Sequence, residues 1–78
     1  MSVTVLYFAS LRDAAGVSSE IVERPASLSD LYSALRARHG FAMTQEKLRV
    51  AIDGAFADWN AVVGEGAEIA FIPPVSGG

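Results

Sequence analysis

Ser27-Leu28-Ser29-Asp30-Leu31-Tyr32-Ser33-Ala34-Leu35-Arg36-Ala37-Arg38-His39-Gly40 carries every mark of one well-delimited helix. Ser27 and Asp30 have the spacing of a capping box. In it the Ser hydroxyl accepts from the amide three residues on, and the acid returns a bond to the Ser amide. Leu28, Leu31, Tyr32 and Leu35 recur at i, i+3, i+4 and i+7, a single apolar stripe that must face a core. Arg36, Arg38 and His39 fall in the last turn, where positive charge suits the helix dipole, and Gly40 is the expected stop. One helix with one stripe needs a sheet to cover it, so the flanking sequence has to supply strands.

Upstream, Val3 to Ala9 is an apolar run of strand length, rich in β-branched and aromatic residues. Val3, Val5 and Tyr7 fall on one face; Thr4, Leu6 and Phe8 fall on the other. Arg12 to Gly16 reads as a loop, with Gly16 at a positive φ. Ser19 to Glu23 is a second short strand, antiparallel to the first, and Arg24-Pro25 ends it. Downstream, Phe41 to Lys47 is a connection. Leu48, Val50 and Ile52 alternate with Arg49 and Ala51 as a strand with one buried face. Asp53-Gly54 predicts a type I′ turn that sends Ala55-Phe56-Ala57 back as a short strand. Asp58 to Val63 has no clear pattern, Gly64-Glu65-Gly66 is a turn, and Glu68 to Ile72 is the last strand, ended by Pro73-Pro74. Hairpins at both ends thus flank one helix, with the first and last strands as parallel neighbours in the centre. That is the β-grasp, an α+β arrangement: a mixed sheet of four to five strands with one main helix on one face. The domain is expected over residues 1–74, with residues 75–78 as a flexible tail.

Composition narrows the function. Seventy-eight residues leave room for one core. Six Lys plus Arg against nine Asp plus Glu give a net charge of −3. This disfavours nucleic acid and anionic membrane, both of which reward a basic surface. The chain has no cysteine, which excludes a disulfide framework, a thiolate nucleophile and any Cys-ligated metal. With a single His, no metal site is expected. No apolar run approaches the ~20 residues of a membrane span, and no secretory signal is visible at the N-terminus, so a cytoplasmic protein is expected. His39 reads as a solvated or C-capping residue. Asp13 and Glu65 in loops, Glu20 and Glu23 on a strand and Asp58 near a turn read as solvated charge. Ser76 has no neighbouring base, and Gly64-x-Gly66 is too short for a phosphate loop. No internal active site is visible.

What stands out is the end of the chain. With Gly at ~7% of residues, a terminal Gly77-Gly78 arises by chance about once in 200. Two residues without Cβ can pass through a channel that any side chain would block. Pro73-Pro74 stiffens the base of the tail and projects it from the last strand. The α-carboxylate of Gly78 is then the candidate reacting group. Because a carboxylate is inert towards nucleophiles until activated, a partner that makes an acyl-adenylate is implied.

Three segments resemble the small subunit of molybdopterin synthase, a family of ubiquitin-like sulfur carriers, and the resemblance covers essentially the whole chain. Val5 to Gly16 is similar to that family's opening strand and its F-A-x-x-R-x-x-x-G turn. Lys47 to Gly54 resembles its third strand and hairpin. Glu68 to Gly78, running into Pro-Pro-Val-Ser-Gly-Gly, is the most specific. Asp53 stands where the family usually has Asn, and Gly64-Glu65-Gly66-Ala67-Glu68 has one acid fewer than the usual turn; neither departure touches the tail. The resemblance implies that an ATP-dependent, ubiquitin-activating-like adenylyltransferase adenylates Gly78. It implies that a persulfide donor protein then leaves a thiocarboxylate there. The loaded tail, Val75, Ser76, Gly77 and Gly78, would thread into the synthase large subunit, which holds cyclic pyranopterin monophosphate, in a heterotetramer of two small and two large subunits. The chain itself would bind no cofactor, ATP being used by the activating partner. It would be a non-catalytic subunit. Phe8, Phe56 and Ile72 match the family positions that form an apolar docking patch on the bare sheet face, continued by Pro73 and Pro74. Trp59 suits core or rim packing as well as an interface, and Arg12 and Lys47 suit solvent as well as an interface. A sulfur carrier for thiamine or amino-acid biosynthesis, or a protein modifier joined through Gly78, would share the fold and the Gly-Gly end.

Overall fold

The computed structural model describes residues 1–74; Val75, Ser76, Gly77 and Gly78 lie outside the described residues. Five strands, β1 (Ser2–Tyr7), β2 (Ser19–Glu23), β3 (Arg49–Ile52), β4 (Ala55–Ala57) and β5 (Glu68–Ile72), form one sheet in the order β2-β1-β5-β3-β4. β1 and β5 run parallel in its middle, and the other pairs are antiparallel. Two helices, α1 (Ala9–Ala15) and α2 (Leu28–His39), and a 3₁₀ turn (Gln45–Lys47) complete the chain.

The core forms where the α2 stripe meets one face of this sheet. Leu28, Leu31, Tyr32 and Leu35 are buried against Val3, Val5 and Tyr7 of β1, Val50 of β3 and Ile69 and Phe71 of β5. The strand alternation read from the sequence therefore splits the β1 residues as observed, and the Val3-Val5-Tyr7 face is the one that turns inward. The α2 boundaries also follow the sequence. Ser27 Oγ accepts from the Asp30 amide at 3.0 Å, and Gly40 closes the helix in the left-handed region. Among the described residues the return bond from the Ser27 amide to Asp30 is not formed, so half of the capping box is realised. Asp53 and Gly54 both have positive φ, 51° and 86°, as a type I′ turn requires. The Asp53 carboxylate accepts from the Glu68 amide at 2.9 Å, tying the hairpin to β5.

Two expectations are corrected. The loop expected from Arg12 to Gly16 is the second half of a helix, α1, which begins at Ala9 and carries Asp13 on it. β1 stops at Tyr7, and Ala9 at φ 50° turns the chain out of the sheet. Gly16 then ends the helix at φ 77°, its amide donating to the Arg12 carbonyl at 2.9 Å. Only Leu11 of α1 is buried, so no apolar period marked it. Nor does β3 have a single buried face. Ala51 lies opposite Val50 yet is buried too, because its small side chain sits between cross-strand partners Phe56 and Ala70.

Candidate functional site

Both helices leave the outer face of the sheet uncovered, and alternation assigns Leu6, Ile21, Ala51, Phe56, Ala70 and Ile72 to it. Phe8, just past the end of β1, continues the Leu6 side. Phe8 is 44% exposed and Phe56 is 66% exposed. Phe8, Phe56 and Ile72, separated widely in sequence, line one shallow depression of about 220 Å³ with Leu6, Ala51 and Ala70. A second, larger depression of about 650 Å³ lies beside it, lined by Phe8, Ala9, Met43, Ile72, Pro73 and Pro74. Phe8 and Ile72 belong to both. The apolar surface thus runs unbroken from Phe56 to Pro74, the last described residue before the tail. Pro73 is buried within this chain, whereas Pro74 is exposed, so Pro73 serves as floor and Pro74 as rim. Exposed patches of this kind mark interfaces more often than they mark chance.

Phe8 is also the N-cap of α1, with extended φ and ψ and no side-chain acceptor for the helix amides. Ser, Thr, Asp or Asn would stabilise that position by about 1 kcal/mol relative to an apolar residue. A large aromatic ring that is half exposed at a cap contributes little to the fold, and Phe8 instead extends the apolar outer surface.

A polar cluster lies on the other side of the molecule. Glu20 of β2 pairs with Val5 in the register and points inward, where it accepts from the buried Tyr7 hydroxyl. Its Oε1 also meets His39 Nε2 at 2.7 Å, and Oε2 meets Arg38 at 3.4 Å. His39 packs edge-on against Tyr7 at 5.7 Å and tilted against Phe41 at 5.4 Å. Neither residue is the solvated charge expected from sequence: the β1–β2 register brings Glu20 under the last turn of α2. Burial works to raise the Glu20 carboxyl, but the bonds from Tyr7 and His39 and the positive charges outweigh it, holding the group below its usual 4.5. Burial, and then the Glu20 carboxylate, pushes the Tyr7 hydroxyl far above its ordinary range. Every partner is supplied by the fold and none faces the outer sheet surface, so the cluster fastens α2 to β2. Replacing Glu20 by Ala strands the Tyr7 hydroxyl and is expected to cost about 1–3 kcal/mol at neutral pH. Because the folded-state carboxyl is depressed, this stabilisation is present above the usual carboxylate range and is lost as pH falls through the folded value. Thermal melts of both proteins from pH 7 down to about pH 3 check this: the gap between them should narrow on acidification.

Trp59 stacks on Phe71 at 5.7 Å and meets Tyr32 edge-on at 6.0 Å, on the rim of the core. Arg12 on α1 and Lys47 on the 3₁₀ turn are exposed. Sequence reasoning passed over Arg49, whose guanidinium lies 4.6 Å from the centre of the Phe56 ring. A cation seven residues before an exposed aromatic across a two-residue hairpin was the available signal. Among the described residues no group of three or more His, Cys, Asp or Glu side chains converges, and no helix is long and apolar enough to cross a membrane.

Residues 5–78 match the profile of the ThiS family. The molybdopterin synthase sulfur carrier subunit of Homo sapiens is 35% identical over 82 residues, covering 97% of this chain and 93% of the human one. The protein of the same name from Chlamydomonas reinhardtii is 36% identical over 90 residues, covering the whole of both chains. Among solved structures, small archaeal modifier protein 1 of Haloferax volcanii matches with a TM-score of 0.76 at 25% identity, covering 95% of this chain and 98% of that one. The strand order and the structural likeness agree on the β-grasp.

Proposed function

The chain belongs to the ThiS family, and from that premise we propose that it is the sulfur carrier subunit of a molybdopterin synthase. The observation that carries this reading is the similarity along nearly the whole chain to two sulfur carrier subunits of that enzyme, with Gly78 inside the match to the Chlamydomonas protein and to the family profile. The apolar surface that leads to Pro74 supports it. In this reading the Gly78 carboxylate attacks the α-phosphorus of ATP on an activating enzyme, forming an acyl-adenylate and releasing pyrophosphate. A persulfide of a donor protein attacks the acyl carbon and expels AMP. A second thiol of the donor system cleaves the resulting S–S bond, leaving a thiocarboxylate on Gly78. Its sulfur is a good nucleophile, and the chain holds no cysteine to compete with it. The tail then enters the large subunit, which holds cyclic pyranopterin monophosphate and supplies the catalytic groups. The thiocarboxylate sulfur bonds to the pterin as a thioester, and water cleaves the acyl C–S bond. The sulfur stays on the pterin and the Gly78 carboxylate is regenerated; two such transfers build the dithiolene. The carrier contributes reach, docking and the reacting atom; it is not an enzyme on its own and holds no cofactor. In this reading the carrier works in the cytoplasm.

The test is reconstitution. Chain carrying the thiocarboxylate, mixed with its cognate large subunit and cyclic pyranopterin monophosphate, should yield dithiolene product with two carriers consumed per pterin. Absence of product with a large subunit shown to be active on another carrier would sink the assignment. The likeness to a protein named as a modifier favours one second reading, attachment of Gly78 to lysines of other proteins. Lysine conjugates in extract that depend on Gly78 would support it.

A further inference from the structure

Arg49 is the only basic residue in the five strands. It is exposed, lies opposite Ile72 in the β3–β5 register, and rests on the face of Phe56 at 4.6 Å. Among the described residues the ion pairs are those of Glu20 with Arg38 and His39, so Arg49 has no carboxylate there. Its stem and the Phe56 ring hold the guanidinium over the apolar surface at the tail end of the sheet. Asp58, one residue past β4 and across from Arg49 by the β3–β4 register, lines a depression with Arg49 and Phe56 but is not ion-paired with Arg49. Glu68, opposite Thr4, stands at the start of β5, about 13 Å from Ile72 by strand rise, at the far side of the Phe56–Ile72 depression. Glu23, opposite Ser2, stands at the corresponding end of β2. The outer face is therefore apolar in the middle, with the Arg49 guanidinium beside the tail, Asp58 next to it at the β4 edge, and the acids Glu68 and Glu23 at the far end.

We infer that Arg49 is a specificity-determining residue of the docking face, and that its occupant, the synthase large subunit, presents a carboxylate to it beside the tail entrance. This rests on the docking reading above. A guanidinium covered by an apolar partner surface would lose its water without compensation, whereas a carboxylate there forms a forked, charge-assisted pair. Stacking on Phe56 fixes the fork before binding, so less side-chain freedom is lost on docking. The charge polarity also selects orientation. A partner turned end for end would set its carboxylate against Glu68, a like-charge contact that opposes binding. An apolar patch alone tolerates several registers, yet the tail can be delivered to a reacting centre in only one.

The experiment measures Kd and its salt dependence for the complex of the full chain with its large subunit. It compares Arg49→Glu, Arg49→Met, Arg49→Lys and Phe56→Asp, each checked by thermal melting. Arg49→Glu is expected to weaken binding by at least about 30-fold and to flatten the salt dependence. Arg49→Met, which keeps the packing and loses the charge, should fall between wild type and Glu, and Arg49→Lys should recover part of the loss. Equal losses for Met and Glu with an unchanged salt slope would overturn the charge pairing. So would wild-type binding by Arg49→Glu alongside a weakened Phe56→Asp, and that result would leave the docking face intact. If Phe56→Asp also binds as wild type, the docking reading itself is wrong.

Discussion

Deleting Gly78 is expected to lower sulfur delivery by at least about 1,000-fold while leaving the melting temperature unchanged. The core is built from residues between Val3 and Phe71, so loss of the last residue removes nothing from it. The chain shortened to Gly77 still ends in a carboxylate and still docks by the same face. Its reacting atom, however, stops about 3.5 Å short of the intended place. Misplacement of a reacting group by about 1 Å is enough to cost on the order of 100-fold, and the shortfall applies twice, at the activating enzyme and at the large subunit. Adding one Ala after Gly78 tests the same geometry from the other side and should be comparably damaging. Wild-type product formation by either variant would show that the end of the chain is not where the chemistry happens.

A charge on the apolar surface should separate docking from folding. Phe56→Asp places a carboxylate where an aromatic anchor would be covered, and truncation of such anchors commonly costs 2 kcal/mol or more, before the penalty of an unpaired buried charge is counted. A rise in Kd of about 100-fold is expected. Stability should change little, by about 0.5 kcal/mol or less, since Phe56 is two-thirds exposed. Phe8→Asp is the sharper case. The substitution exchanges a residue that caps α1 poorly for one that caps well, so the variant should melt no lower than wild type while losing docking to a similar degree. Titration calorimetry with the large subunit, paired with thermal melts, reads both quantities. Tight binding by both variants would place the interface elsewhere; a collapse in melting temperature would mean that Phe8 belongs to the fold.

Much of this architecture is legible in local signals. The cap at Ser27, the stripe through Leu35, the stop at Gly40 and the Asp53-Gly54 turn each act over a few residues, and the connection rules then leave few sheet orders. The terminal Gly-Gly behind Pro73-Pro74 is similarly local. Helix α1 was hidden because it is seven residues long, buries only Leu11 and starts at a phenylalanine with no capping side chain; propensity without period could not expose it. The Glu20–His39–Tyr7 cluster was hidden for another reason. Its members lie far apart in sequence and meet only through strand register and helix docking. The alternation of β2 does carry a trace of it, since Glu20 and Val22 share a face opposite Val5 and Val3, and a carboxylate set against a fully buried valine needs partners. Arg49 escaped notice because a cation between two apolar strand residues reads as ordinary solvated alternation until its contact with Phe56 is seen.

The central claim is that the Gly78 carboxylate carries sulfur. The most direct test is the intact mass of the full chain after incubation with ATP, a cognate activating enzyme and a persulfide donor. Exchange of a single oxygen for sulfur, located to Gly78 by fragmentation and absent from the chain lacking Gly78, is the predicted result. An unchanged mass, with the same activating enzyme and donor able to load another carrier, would contradict it.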